Sequence, residues 1–152
     1  MKKIKKVVVI SKSLLTELVK ISKNSIVEDC GIFLGYNDDS NFEIKKFIQD
    51  KINQFGTGSS TIRQTKNIYD EYQEILNKDN SIDYIGEWHS HPMGKISPSY
   101  FDNFAMKFLL NHPKYSYPKE LILGIINSKV GLRIFMYQYG IQKMKELSLK
   151  II

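Results

Sequence analysis

The stretch Gly86-Glu87-Trp88-His89-Ser90-His91-Pro92-Met93-Gly94-Lys95-Ile96-Ser97-Pro98-Ser99-Tyr100-Phe101-Asp102 constrains this chain more than any other. Ser81-Ile82-Asp83-Tyr84-Ile85, just before it, is a β-type run. Side chains of a strand alternate between its faces, so His89 and His91 project the same way. Pro92 favours an extended backbone at His91 and then ends the strand, and Gly94 permits a turn. Ser97-Pro98 reads as a helix start, with Ser97 as N-cap and Pro98 at the first helical position. Ser99 and Asp102 then stand three apart in the first turn, on one face.

A strand end carrying two imidazoles, followed by a helix start carrying a carboxylate, can bring His89, His91 and Asp102 onto one cation. Imidazole nitrogen and carboxylate oxygen suit Zn²⁺, and three protein ligands leave a fourth tetrahedral position open for water. No Cys-x-x-Cys pair exists to close that position. Simpler readings compete. A lone strand histidine is usually a packed or surface residue, and Ser-x-x-Asp is also a capping pattern that suits the helix dipole without any metal. Capping accounts for Ser97, Ser99 and Asp102 but leaves His89 and His91 unexplained. At this chain's residue frequencies the full spacing arises by chance on the order of once in several thousand such chains.

The 152 residues predict one domain. Apolar residues at 42% and charged residues at 25% are ordinary for a chain that buries a core. The single Cys30 excludes an internal disulfide and predicts a cytoplasmic setting. Met1–Lys6 resembles the start of a signal peptide. The apolar run after it, Val7–Ile10, is too short for one, and no stretch approaches transmembrane length. The net charge of +6 comes from scattered lysines, which read as a solvated surface, so nucleic-acid binding is not expected.

Strands are expected at Lys6–Ile10, Gly31–Tyr36, Phe42–Gln49, the run into His91, Glu120–Asn127 and Leu132–Tyr139. Helices are expected over Ser13–Lys23, Thr65–Lys78 and Pro98 to about Asn111. Asp50–Thr61, with Gly56-Thr57-Gly58-Ser59-Ser60 at its centre, reads as a mobile loop beside the active cleft; it lacks the Gly-Lys-Ser/Thr ending of a P-loop. In the last helix Phe101, Phe104, Ala105, Phe108 and Leu109 form an apolar stripe read as core packing. His112-Pro113 then breaks that helix, with His112 a surface or capping residue. The tail from Gly140 could be a last strand or a short helix. Hairpins mixed with helices predict an α/β fold, a mixed sheet flanked by helices.

The His-x-His-Pro, Ser, Asp spacing at 89–102 resembles the signature of the JAMM (MPN-plus) metallopeptidase family. Glu28-Asp29-Cys30-Gly31 is similar to that family's upstream acidic stretch. The resemblance extends from about Val7 to Leu147 and implies a single JAB/MPN-type domain with a curved mixed sheet. It also implies zinc on His89, His91 and Asp102, with Glu28 as general base and Ser99 as a donor to the developing oxyanion.

From the residues alone Glu87 is the first choice for the base, because it shares a strand face with both histidines. The family resemblance favours Glu28, since other branches place non-acidic residues at this position. Ser97 is likewise a rival to Ser99. Trp88 alternates to the opposite face and reads as a core aromatic, and Cys30 as a small buried residue.

The small stand-alone bacterial branch of the family implies a substrate: the C-terminal tail, or a conjugate, of a ubiquitin-like protein. Ubiquitin-transfer-like enzymes of anti-phage operons would be its partners. Two alternatives stay open, trimming of a ubiquitin-fold sulfur-carrier protein and a non-catalytic scaffold or nucleic-acid-binding module.

Overall fold

Alternating apolar and polar residues build most of the strands, and runs that are apolar on both faces build the central ones. In the computed structural model, residues 5–24, 28–51, 66–92, 95–111 and 119–152 are described. The elements are β1 (Val7–Ile10), α1 (Lys12–Lys23), β2 (Cys30–Asn37), β3 (Asn41–Gln49), α2 (Lys66–Lys78) and β4 (Asp83–Ser90), followed by α3 (Tyr100–Asn111), β5 (Glu120–Asn127), β6 (Gly131–Gln138) and β7 (Lys145–Ile151). The Gly56–Ser60 segment, Gly94 and His112-Pro113 lie outside the described residues.

The strands run in the order β1-β3-β2-β4-β5-β6-β7, and β7 pairs with β1 to close a barrel. Pairing is mixed. β1 lies parallel to β3 and β7, and β4 parallel to β5, while the other neighbours are antiparallel. The α/β class expected from the sequence is correct, and the sheet goes further than curving: it closes. The tail left open between strand and helix supplies the closing strand. Lys145–Leu147 pairs with β6 and Ser148–Ile151 with β1, so β7 bridges the two.

Every strand contributes to the cluster inside the barrel, from Val8 and Ile10 through Phe33, Phe42, Trp88, Ile122 and Ile134 to Leu147. The α1 face expected from its spacing, Leu14, Leu15, Leu18 and Val19, packs against this cluster. Two further clusters cover the outside. α2 sets Ile68, Tyr72, Ile75 and Leu76 over Ile32, Leu34 and Ile48. α3 sets Met106, Leu109 and Leu110 over Leu121, Leu123, Ile125 and Phe135. Trp88 is fully buried inside, as its alternation predicts, and Gly31 makes room for it: a Cβ there would stand 2.7 Å from Trp88 Nε1 and 1.9 Å from the Ile48 carbonyl oxygen.

Two expectations for α3 need correction. The helix starts at Tyr100 rather than Pro98, and its N-cap is Ser99 rather than Ser97. Ser99 Oγ accepts the Asp102 N–H at 3.1 Å, and the Ser99 N–H donates to Asp102 Oδ2 at 2.9 Å. Only a residue three before Asp102 can close that box. The apolar stripe is also displaced. Phe101 and Phe104 are 66% and 56% exposed, and the buried face is Asp102, Ala105, Met106, Leu109 and Leu110. Ala105 and Leu109 are buried as the stripe predicts, and the arc is rotated away from Phe101 and Phe104 because the helix turns its carboxylate towards the sheet.

Candidate metal centre

β4 carries the centre of the site, and a bulge sets its phase. β4 and β2 slip register between Phe33 and Leu34, which leaves Ile85 as the extra residue of β4. Ile85 and Trp88 therefore both join the interior cluster, and Tyr84 turns outward to the helices. Glu87 and His89, alternating with Trp88, also face outward. Tyr84 Oη donates to Glu87 Oε2 at 2.6 Å, a contact that regular alternation would forbid between residues three apart.

Two backbone contacts extend the strand past its end. The His91 N–H donates to the Ile126 carbonyl at 2.8 Å, and Asn127 Nδ2 donates to the His91 carbonyl at 2.8 Å. His91 thus keeps the strand phase and falls on the face of His89, as predicted. α3 then delivers Asp102. His89 Nδ1 lies 2.9 Å from Asp102 Oδ1, and His91 Nε2 lies 3.6 Å from Asp102 Oδ2. One ligand atom from each of the three falls within 4.8 Å of the others, so they could hold one metal ion.

The electrostatics match a cation site. Burial alone would raise the Asp102 carboxyl, but hydrogen bonds from His89 and His91, the charge of His89 and the Ser99 N–H hold it far below the usual carboxylate range. The Asp102 carboxylate in turn raises His91 above its ordinary value, against the opposing effect of burial. The Lys95 carbonyl and the charge of Glu28 push His91 the same way. Nearby, Tyr137 Oη donates to Asn103 Oδ1, and burial together with the charge of Asp102 pushes this phenol well up.

Ser90 ties the chain next to Glu28 to the strand of the histidines. This serine stands between the two histidines and points to the other face of β4. Its Oγ accepts the Asp29 N–H at 2.7 Å, and its own N–H donates to the Asp29 carbonyl at 2.8 Å. Cys30 pairs with His89 across the same ladder, and its thiol is buried as expected. The two contacts of Ser90 fix the residue after Glu28 against the strand of the histidines, and the half-buried Glu28 carboxylate acts electrostatically on His91. Glu87 is buried in the same outward row with Tyr84 on its carboxylate. The supporting residues Tyr84, Ser90 and Asn127 were not singled out in the sequence. Two of them depend on a bulge or a cross-strand register that local spacing does not encode, and Asn127 reads there only as a hairpin residue.

Two imidazoles and an ionised, buried carboxylate converging on one point fit a zinc-type ion by donor chemistry. Among the described residues, no helix is long and apolar enough to cross a membrane. No curated protein matches the chain. The chain is similar in fold to protein DSY2949 from Desulfitobacterium hafniense, known from its solution structure, with a TM-score of 0.60 over 95% of this chain and 92% of that one, at 14% identity. The family model described as prokaryotic homologs of the JAB domain matches residues 11–135. With that match spanning β2 to β5 and every residue of the His89, His91 and Asp102 centre, the chain belongs to the family of prokaryotic JAB-domain homologs.

Proposed function

We propose that this chain is a zinc-dependent peptidase of isopeptidase type, acting on the bond at the C-terminal tail of a ubiquitin-like protein or its conjugate. The observation that carries the reading is the convergence of His89, His91 and Asp102 with no fourth protein ligand among the described residues. An open position is what separates catalytic from structural zinc sites.

His89, His91 and Asp102 would hold the ion. When bound, it would lower the pKa of a water to about 7 and polarise the scissile carbonyl. Glu28 takes the proton of the attacking water and passes it to the leaving amine, as the scissile C–N bond breaks and the new C–O bond forms. Ser99 offers its hydroxyl proton to the developing oxyanion while its oxygen keeps the Asp102 N–H. Asp102 stays ionised through the reaction because both imidazoles face it.

A bacterial ubiquitin-like conjugation pathway in the cytoplasm, of the kind found in anti-phage defence, is the setting that suits such a bond. Ubiquitin-transfer-like enzymes would be the partners there. The support for this setting is the likeness of the Tyr84–Pro92 phrase to the small bacterial branch of the family.

The test is zinc content by elemental analysis of the wild type beside His89→Ala and Asp102→Ala. About one zinc per chain, lost in both variants, is expected, followed by cleavage of linear ubiquitin-like fusions. Wild-type protein that takes up no zinc when it is supplied would overturn the proposal.

A further inference from the structure

The two nitrogens of the His91 ring meet different partners, the Asp102 carboxylate at Nε2 and a main-chain carbonyl at Nδ1. A carbonyl oxygen only accepts, so His91 Nδ1, 2.9 Å from the Lys95 carbonyl, carries the proton of the neutral ring. Nε2 is thereby turned to the metal-binding side, 3.6 Å from Asp102 Oδ2. The next carbonyl along the chain is held by a side chain of the barrel. The Ile96 carbonyl accepts from Arg133 Nη1 at 3.2 Å. The same guanidinium is locked by Glu146, through Nε at 2.8 Å and Nη2 at 2.6 Å. Arg133 stands on β6 and Glu146 on β7, so the fork spans the pair that anchors the closing strand β7 to the rest of the sheet.

We propose that Arg133, oriented by Glu146, is a positioning residue for the second metal ligand. The line of contacts runs from Glu146 to Arg133, to the Ile96 carbonyl, to its neighbour at Lys95, and to the Nδ1–H of His91. Hydrogen bonds to the far nitrogen of a ligand histidine set its tautomer and ring direction. Asn127 steadies the other end by holding the His91 carbonyl, its own Oδ1 accepting the Lys129 N–H at 2.8 Å. An exposed ion pair contributes little to global stability, so the effect is expected in the ligand rather than in the melting temperature. In what it says about metal affinity the inference rests on the proposed function; in what it says about the ring it does not.

The deciding measurement is the tautomer of His91 in metal-free protein, read from imidazole ¹⁵N shifts at a pH where the ring is neutral. The wild type shows the Nδ1–H form. Arg133→Met and Glu146→Gln raise the Nε2–H share at His91 and leave His89 unchanged. Arg133→Lys restores the wild-type pattern only in part, because it keeps the charge without the fork. In zinc-loaded protein the same loss weakens zinc binding by about tenfold in Arg133→Met. An unchanged His91 tautomer in both Arg133→Met and Glu146→Gln overturns the inference. Should Arg133→Met fail to fold, Glu146→Gln alone decides. Wild-type protein that binds no zinc would sink the peptidase reading and leave the tautomer to judge this one.

Discussion

Asp102 serves two structures with one carboxylate. One oxygen closes the N-terminal box of α3, and both face imidazoles. Its ionised state is therefore built into the helix start, and the pH response follows from it. Asp102 lies below its ordinary value, so the stability it contributes is present above the unfolded carboxylate range and is lost as pH falls. His91, faced by Asp102, Glu28 and the Lys95 carbonyl, lies above its ordinary value, and its contribution is lost as pH rises through that raised value. The metal-free protein should gain most from the pair between about pH 4 and 6.5, the two unfolded values. Zinc at the proposed site would compete with the His91 proton, so the rise in Tm on adding zinc should grow as pH increases. Melting curves of wild type and His91→Gln, with and without zinc, read both effects; a zinc shift independent of pH would contradict the second. The two candidate bases are separable too. Glu28→Gln should lose about 10²–10⁴ in turnover with zinc retained, and Glu87→Gln far less. If only Glu87→Gln abolishes turnover with zinc in place, the roles are exchanged.

At the scale of the element, α3 separates what local pattern encodes from what it does not. Its existence was readable from apolar period, and its end from the His112-Pro113 breaker. Its phase was readable only in part, at Ala105 and Leu109, because aromatic residues surround the helix and several stripes satisfy the period. The deciding contact is non-local: Asp102 has to face β4, and that places Ala105, Met106 and Leu109 on the buried arc. The same holds at the site. His89, His91 and Asp102 were legible because their spacing is short and each lies at an element's end, whereas Ser99 was separated from Ser97 only by resemblance. Glu28 came only by resemblance, since the contacts of Ser90 with Asp29 join segments 61 residues apart. The phase carries a stability prediction. Leu109→Ala should cost about 2–5 kcal/mol, and Phe101→Ser should stay within about 0.5 kcal/mol. Urea unfolding of the two variants measures this, and the reverse order would put Phe101 back in the core.

At the scale of the whole molecule, β7 decides whether the sheet has edges. A parallel partner for β1 from the far end of the chain leaves no local trace, which is why the tail was ambiguous. The family match also ends at Phe135, inside β6, so closure rests on the strand pairing itself. Without residues 140–152 the barrel opens between β1 and β6, and Leu147 leaves the interior cluster. Exposed strand edges template association between chains. The shortened chain should therefore melt well below wild type and sediment as aggregates at concentrations where wild type is monodisperse. The same cut removes Glu146 and frees Arg133. Two variants distinguish the consequences: Glu146→Gln touches only the support of the Ile96 carbonyl, whereas the deletion touches the support and the closure together. A deletion that unfolds cooperatively at the wild-type Tm would mean that β1 to β6 form a sufficient sheet and that β7 serves chiefly to carry Glu146. A deletion that aggregates, beside a Glu146→Gln protein of wild-type Tm and altered His91 tautomer, would assign closure to the strand and ligand orientation to its one carboxylate.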